Sequence, residues 1–209
     1  MTKKRILILA SGRGSNMESI LKAIDQGQIA GEAVGVISSN PDAPAIEKCC
    51  QHNIPYSVVD RKSFSTKADF QKALLVTVQG FRPDLICLAG FMHILGSEFI
   101  GKYRNRIINI HPSLLPSFPG LNAQEQALQY GVRFSGCTVH FVDEGMDTGP
   151  IILQAVVPVH SDDDAQSLAA RILVEEHRIY PEAVRLFCLD QLKIIGRRVI
   201  IDQGGKVNG

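Results

Sequence analysis

Two hydrophobic rhythms alternate along the first half of the chain. Ile6–Ala10 is a short continuous apolar run, the pattern of a strand covered on both faces. From Asn16 onward, Met17, Ile20, Leu21 and Ile24 fall at helical spacing. Ala33–Ile37 predicts a second strand, Asn40-Pro41-Asp42 a turn, and Ala45–Gln51 a short helix. Ser57–Val59 reads as a third strand, and Phe70, Leu74, Leu75 and Val78 mark a longer helix. Leu85–Ala89 is the most apolar strand candidate. Phe99–Tyr103 suits a short helix leading into the strand Arg106–Ile110.

The rhythm then changes. After a helix at Ala123–Leu128, closed by Gly131, Cys137–Val142 and Ile151–Val159 read as strands with little helix between them. Asp162–Asp164 opens a long helix running to about Phe187, which Pro181 should kink or break. Leu192–Ile201 suits a small hairpin, and the final QGGKVNG is expected to be mobile. The β-α-β-α order predicts a Rossmann-like α/β architecture. Its sheet is expected to be twisted and mostly parallel, with helices on both faces and an antiparallel portion in the C-terminal half. No repeat or low-complexity linker divides the 209 residues, so one domain, 1–209, is expected.

Composition narrows the partners. A net charge of +1 and no basic block longer than Lys3-Lys4-Arg5 offer no footprint for nucleic acid or an anionic membrane. No apolar run approaches the ~20 residues of a membrane span. The five cysteines include no CxxC pair, which suits reduced thiols in a cytoplasmic protein and gives a metal site little support.

Candidate chemistry sits at strand ends. Ala10–Asn16, ASGRGSN, joins the first strand to the first helix, where glycines turn the chain and free N–H groups face an anion. The third glycine of a dinucleotide fingerprint is replaced by Met17, so a phosphate monoester fits better. A plain glycine turn with Ser15 as helix cap is the alternative. Asn109 and His111 end the strand at 106–110, project to one side, and are followed by Pro112, Pro116 and Pro119. An amide and an imidazole held this way could stabilise an oxyanion and move a proton; a buried polar pair satisfied by backbone is the alternative. Asp143, Glu144 and Asp147 lie in DEGMDTGP, where a carboxylate could orient His111, or merely face solvent. His140 precedes that loop and suits a core histidine equally well. Ala89–Leu95, AGFMHIL, could wall a flat heterocycle or be plain core.

Together GRGSN, NIHPSLLPSFPG, DTGPIILQ and EEHRIYP resemble the phosphoribosylglycinamide formyltransferase family, over nearly the whole chain. The resemblance implies formyl transfer from 10-formyltetrahydrofolate, the co-substrate, to the amine of glycinamide ribonucleotide in purine synthesis, without a metal. It implies a phosphate-binding half at about 1–100 and a folate-binding, catalytic half at about 101–209, in a monomer or homodimer. Gly14, Ser15 and Asn16 match the phosphate loop, Glu176 the acid for the ribose hydroxyls, and Lys67 a further phosphate contact. Asn109, His111 and Asp147 match the catalytic trio. Met92, His93, Ile94, Leu95, Val142, Asp143 and Glu144, with Asn109 and Asp147, match the folate pocket, and Gly120–Gln124 a mobile flap. His93 and Gln124 depart from the arginine and histidine common at those places. Formyltetrahydrofolate deformylase and methionyl-tRNA formyltransferase share parts of the pattern. Pro112 after His111 separates the chain from the first, and its low charge from the second.

Overall fold

The computed structural model describes residues 3–202. The tail expected to be mobile therefore lies wholly outside the described residues. Strand β1 (Lys4–Leu9), helix α1 (Ser15–Asp25), β2 (Gly31–Ser38), α2 (Pro44–Gln51) and β3 (Tyr56–Val58) follow one another. Then come α3 (Lys67–Phe81), β4 (Leu85–Leu88), α4 (Ser97–Lys102) and β5 (Ile107–His111). The C-terminal half holds α5 (Ala123–Tyr130), β6 (Phe134–Phe141), β7 (Ile151–Pro158), α6 (Ala165–Cys188), β8 (Leu192–Ile195) and β9 (Arg198–Ile201). Among the described residues no helix is long and apolar enough to cross a membrane.

The strands form one sheet in the order β3-β2-β1-β4-β5-β6-β7-β9-β8. The first five pair in parallel, and β6 reverses against both β5 and β7. The antiparallel portion is thus where the missing helix predicted it, since β6 and β7 are joined by a loop alone. The expected C-terminal hairpin, β8–β9, attaches to the sheet through a short parallel pairing with β7.

Two apolar clusters cover the sheet. Ile6, Ile8, Ile108 and Ile110 pack with Met17 and Ile20 of α1 and with Ile172, Ile179 and Tyr180 of α6. Leu7, Leu9, Ile86 and Ile107 pack on the other face with Phe70 and Leu74 of α3 and Phe99 of α4. Both faces of the inner strands are therefore buried, which is why their sequences read as apolar runs rather than alternations.

Of the expected kink or break at Pro181, the break does not occur: α6 is continuous from Ala165 to Cys188. The proline removes one backbone donor. Around it Ile179, Tyr180, Ala183 and Val184 are almost fully buried against the sheet, and that packing holds the helix through the gap.

The strand order reverses between β1 and β4, because β2 and β3 lie to one side and β4 and β5 to the other. Loops leaving the carboxyl ends of strands diverge at such a point and leave a crevice. The loops after β1 and β4 meet there, Ser11 N donating to Gly90 O at 3.3 Å.

Candidate active site

The glycine loop forms one wall of the crevice. Gly14 caps α1 with φ of 73°, and a Cβ there would come within 2.8 Å of the Ala45 Cβ, so only glycine fits. No side chain caps this helix, so Ser15 is not the cap. The first backbone N–H groups of an α-helix have no partner within it, which suits an anion at this end. Asn16 turns inward and its Nδ2 donates to Glu176 Oε2 at 2.7 Å, joining α1 to α6 across 160 residues of chain. Asn16 Oδ1 is buried without a hydrogen-bond partner. Burial holds the Glu176 carboxyl above its ordinary value, opposed by the Asn16 hydrogen bond.

Asn109 and His111 stand at the end of β5. Ile107 packs on the α3 side and Ile108 and Ile110 on the α6 side, so alternation puts both polar side chains on one face, as the sequence predicts. His111 Nδ1 lies 3.4 Å from Asp147 Oδ2, and His111 Nε2 donates to the Phe118 carbonyl at 2.9 Å. Asp147 reaches the ring because its backbone is left-handed, with φ of 54°, at the end of a tight turn. That turn is closed by Asp143, whose Oδ1 accepts from Gly145 N at 3.2 Å and Thr148 Oγ1 at 2.6 Å. Glu144 is exposed on the same turn. Gly120 N donates to Asp147 Oδ2 at 2.8 Å, which ties the segment after the prolines to the same carboxylate. Gln124, expected in the flap, belongs to the first turn of α5.

His140 completes the group, and sequence reasoning did not commit to it. It lies directly opposite Asn109 in the β5–β6 register. Its Nδ1 donates to the Phe141 carbonyl at 2.8 Å, so Nε2 offers a lone pair, which accepts from Asn109 Nδ2 at 3.2 Å. Burial lowers the His140 pKa and favours this neutral form. The 3.7 Å separation between His140 Nε2 and Asp147 Oδ1 therefore joins a lone pair to a carboxylate and is not an ion pair. Only the strand register, which no local pattern carries, could have singled His140 out.

The remaining expected residues divide. Leu95 is buried and Val142 half-buried, whereas Met92 and Ile94 are 72% and 57% exposed at the mouth of the crevice. Gln71 of α3 holds that segment, donating to Ile94 O and accepting from Gly96 N, both at 2.9 Å. His93 turns its ring into an edge-to-face cluster with Phe70 and Phe91 at 5.0 and 5.4 Å, where burial and nearby Arg61 and Lys67 lower its pKa. Lys67 is exposed at the start of α3 beside that ring, and no hydrogen bond joins it to residues 14–16. Cys49, Cys87, Cys137 and Cys188 are buried. Burial pushes Cys137 and Cys188 up to about 12, so these thiols stay protonated.

An amide, two imidazoles and a carboxylate thus converge at the end of β5. A model described as formyl transferase matches residues 4–184, and the chain belongs to that family. Its particular kinship is with purine enzymes. It is 39% identical to phosphoribosylglycinamide formyltransferase of Escherichia coli K12, over 90% of this chain and 89% of that protein. The crystal structure of glycinamide ribonucleotide transformylase 1 from Symbiobacterium toebii superposes with a TM-score of 0.93 and 48% identity. It spans 96% of this chain and 94% of that one. The trifunctional purine biosynthetic protein adenosine-3 of Drosophila melanogaster is 46% identical over 88% of this chain, which spans only 14% of that longer protein.

Proposed function

We propose that the protein transfers the formyl group of 10-formyltetrahydrofolate to the amine of glycinamide ribonucleotide, a step of purine synthesis. The observation that carries this reading is the convergence of Asn109, His111 and Asp147 at the end of β5, with the 3.4 Å His111–Asp147 approach at its centre. The names of the Escherichia coli and Symbiobacterium toebii proteins support the same acceptor and the same transferred group.

The phosphate of the ribonucleotide meets the backbone N–H groups of Gly14, Ser15 and Asn16, with Lys67 adding positive charge nearby. Glu176 accepts from the ribose hydroxyls. The folate ring rests against Met92, Ile94, Leu95, Val142 and the Asp143–Glu144 turn, and the backbone of His93, whose ring is occupied by Phe70 and Phe91, serves the same wall. The N-terminal half thus holds the phosphate end and the C-terminal half the folate end.

The amine nitrogen attacks the formyl carbon. A carbon–nitrogen bond forms, and the carbonyl π pair moves onto oxygen. The second hydrogen of Asn109 Nδ2, the first being held by His140, and the Nε2–H of His111, exchanging the Phe118 carbonyl for substrate, donate to that oxyanion. Collapse returns the electron pair to carbon and breaks its bond to the folate nitrogen. The proton lost by the attacking amine reaches the departing nitrogen through Asp147 and an ordered water. Products are the formylated amide and tetrahydrofolate. No Lewis acid enters this sequence, because the formyl donor is already activated and the nucleophile is a free amine.

Steady-state kinetics with both substrates test the reading. His111→Ala should lower kcat by at least about 10²–10³-fold, the usual weight of one oxyanion donor, while ribonucleotide binding measured by calorimetry stays close to wild type. Near-native turnover in that variant would remove the assigned role. Formate release without ribonucleotide would instead mark a hydrolase, and turnover only with charged initiator tRNA a tRNA enzyme.

A further inference from the structure

Tyr180 is one of the largest fully buried side chains, on the face of α6 one turn beyond Glu176. Its hydroxyl lies 2.9 Å from the Leu88 carbonyl and 3.1 Å from the Ile108 carbonyl. A phenol carries one hydrogen, so the two carbonyls share it. Burial above all, then the neighbouring Cys87, push this phenol well above its ordinary value, and the donor keeps its proton. The first carbonyl ends β4 and the second lies within β5, the parallel pair in which Leu88 lies beside Asn109.

The Ile108 carbonyl belongs to the peptide that joins Ile108 to Asn109. Rotation of that peptide plane changes the backbone angles on either side of it and swings the Asn109 side chain. The parallel ladder with β4 reaches its last pairing here, Leu88 with Asn109. His140 holds the far end of the Asn109 amide at 3.2 Å. At the backbone end, where that ladder stops, the tyrosine hydroxyl adds a contact from α6.

Resting on the reading of Asn109 given above, we propose that Tyr180 is a positioning residue for the transfer step: its hydroxyl pins the end of β4 and the β5 peptide just before Asn109, and so sets where the Asn109 amide points. It touches neither substrate. Through α6 it also links the two ends of the site, because Glu176, one turn earlier, is bonded to Asn16 at 2.7 Å. Ribonucleotide seated on Glu176 and the oxyanion donor on β5 are thereby referenced to the same rigid helix.

The test is a double-mutant cycle on the full chain, with Tyr180→Phe, Asn109→Ala and both together, reading kcat and ribonucleotide KM at saturating formyl folate. Tyr180→Phe should lower kcat about tenfold, since misplacement of a reacting group by less than 1 Å carries penalties of this order, with KM changed less than about twofold. In the Asn109→Ala background the same substitution should cost little further, because the two act through one group. An unchanged kcat in folded Tyr180→Phe overturns the inference, and so does a full additional loss in the double variant. If Asn109→Ala alone keeps wild-type turnover, the reaction scheme fails and not the tyrosine. Should Tyr180→Phe not fold, 4-aminophenylalanine at position 180 carries the test. Its two N–H donors serve one carbonyl each, so kcat should stay near wild type, and a tenfold loss in that folded protein overturns the inference.

Discussion

Three residues show how much one group can decide. Gly14 is confined by its left-handed backbone and by Ala45 at 2.8 Å from any added Cβ. Gly14→Ala should therefore displace the loop and raise ribonucleotide KM while leaving the folate KM near wild type, which initial-rate kinetics in each substrate will read. Glu176 makes a prediction about pH. Burial raises its pKa in the folded protein above the ordinary 4.5 that the unfolded chain retains. Between those values the folded state binds a proton that the unfolded state has released. The stability contributed by this group is complete below the unfolded value and is lost as pH rises through the folded one. Glu176→Gln cannot ionise, so its stability relative to wild type should increase from pH 4 to neutrality in urea unfolding curves, even as its ribonucleotide KM rises. A relative stability that is flat over that range would show that the carboxyl is not desolvated. His140, by contrast, contributes through its neutral form, whose Nε2 lone pair fixes the Asn109 amide.

At the scale of elements, the segment after β5 is held by a buried hydroxyl rather than by its prolines alone. Thr138 Oγ1 donates to Ser113 O at 2.7 Å and accepts from Leu115 N at 3.1 Å and Gln154 Nε2 at 3.0 Å. It lies directly opposite His111 on β6. Thr138→Val keeps the shape but strands these partners, at a cost of about 1–3 kcal/mol. For a chain of this size that is a fall of roughly 2–4 °C in Tm for each kcal/mol. Turnover should fall as well, since the Phe118 carbonyl that accepts from His111 sits on the same segment. A melt identical to wild type would mean that water replaces the hydroxyl. Helix α6 is the other decisive element, because Glu176 and Tyr180 both depend on its passing through Pro181 without a break.

Across the whole molecule, the Asn16–Glu176 contact joins α1 to α6 and so ties the two ends of the chain together at the proposed ribonucleotide site. Ribonucleotide binding should consequently stabilise the entire fold. At a concentration 100 times Kd the gain is about 2.7 kcal/mol, visible as a rise in Tm. Asn16→Ala should reduce that rise at fixed ligand concentration, and an undiminished shift would place the ribonucleotide elsewhere. The continuous sheet matters here: β1, which leads into the phosphate loop, is linked through β4 to β5, which carries Asn109 and His111. Main-chain hydrogen bonding sets the distance between the two ends of the site.

The amino-acid sequence alone determined the alternation of strands and helices, the switch to antiparallel pairing, and the candidates at the strand ends. These rest on local signals: apolar runs, helical spacing, glycines that must turn, and polar residues ending an apolar strand. The trio Asn109, His111 and Asp147 was legible because each belongs to a distinctive short motif, and those motifs carried the family resemblance. Tertiary structure decided what depends on pairing between distant segments. The β5–β6 register set His140 against Asn109, the packing of α6 carried it through Pro181, and the meeting of α6 with β4 and β5 gave Tyr180 its partners. The aromatic cluster took the His93 ring away from the crevice in the same manner. A hydrogen bond across 72 residues, such as that from Tyr180 to Ile108, leaves no periodicity to read, because its geometry exists only once the sheet and helix have packed.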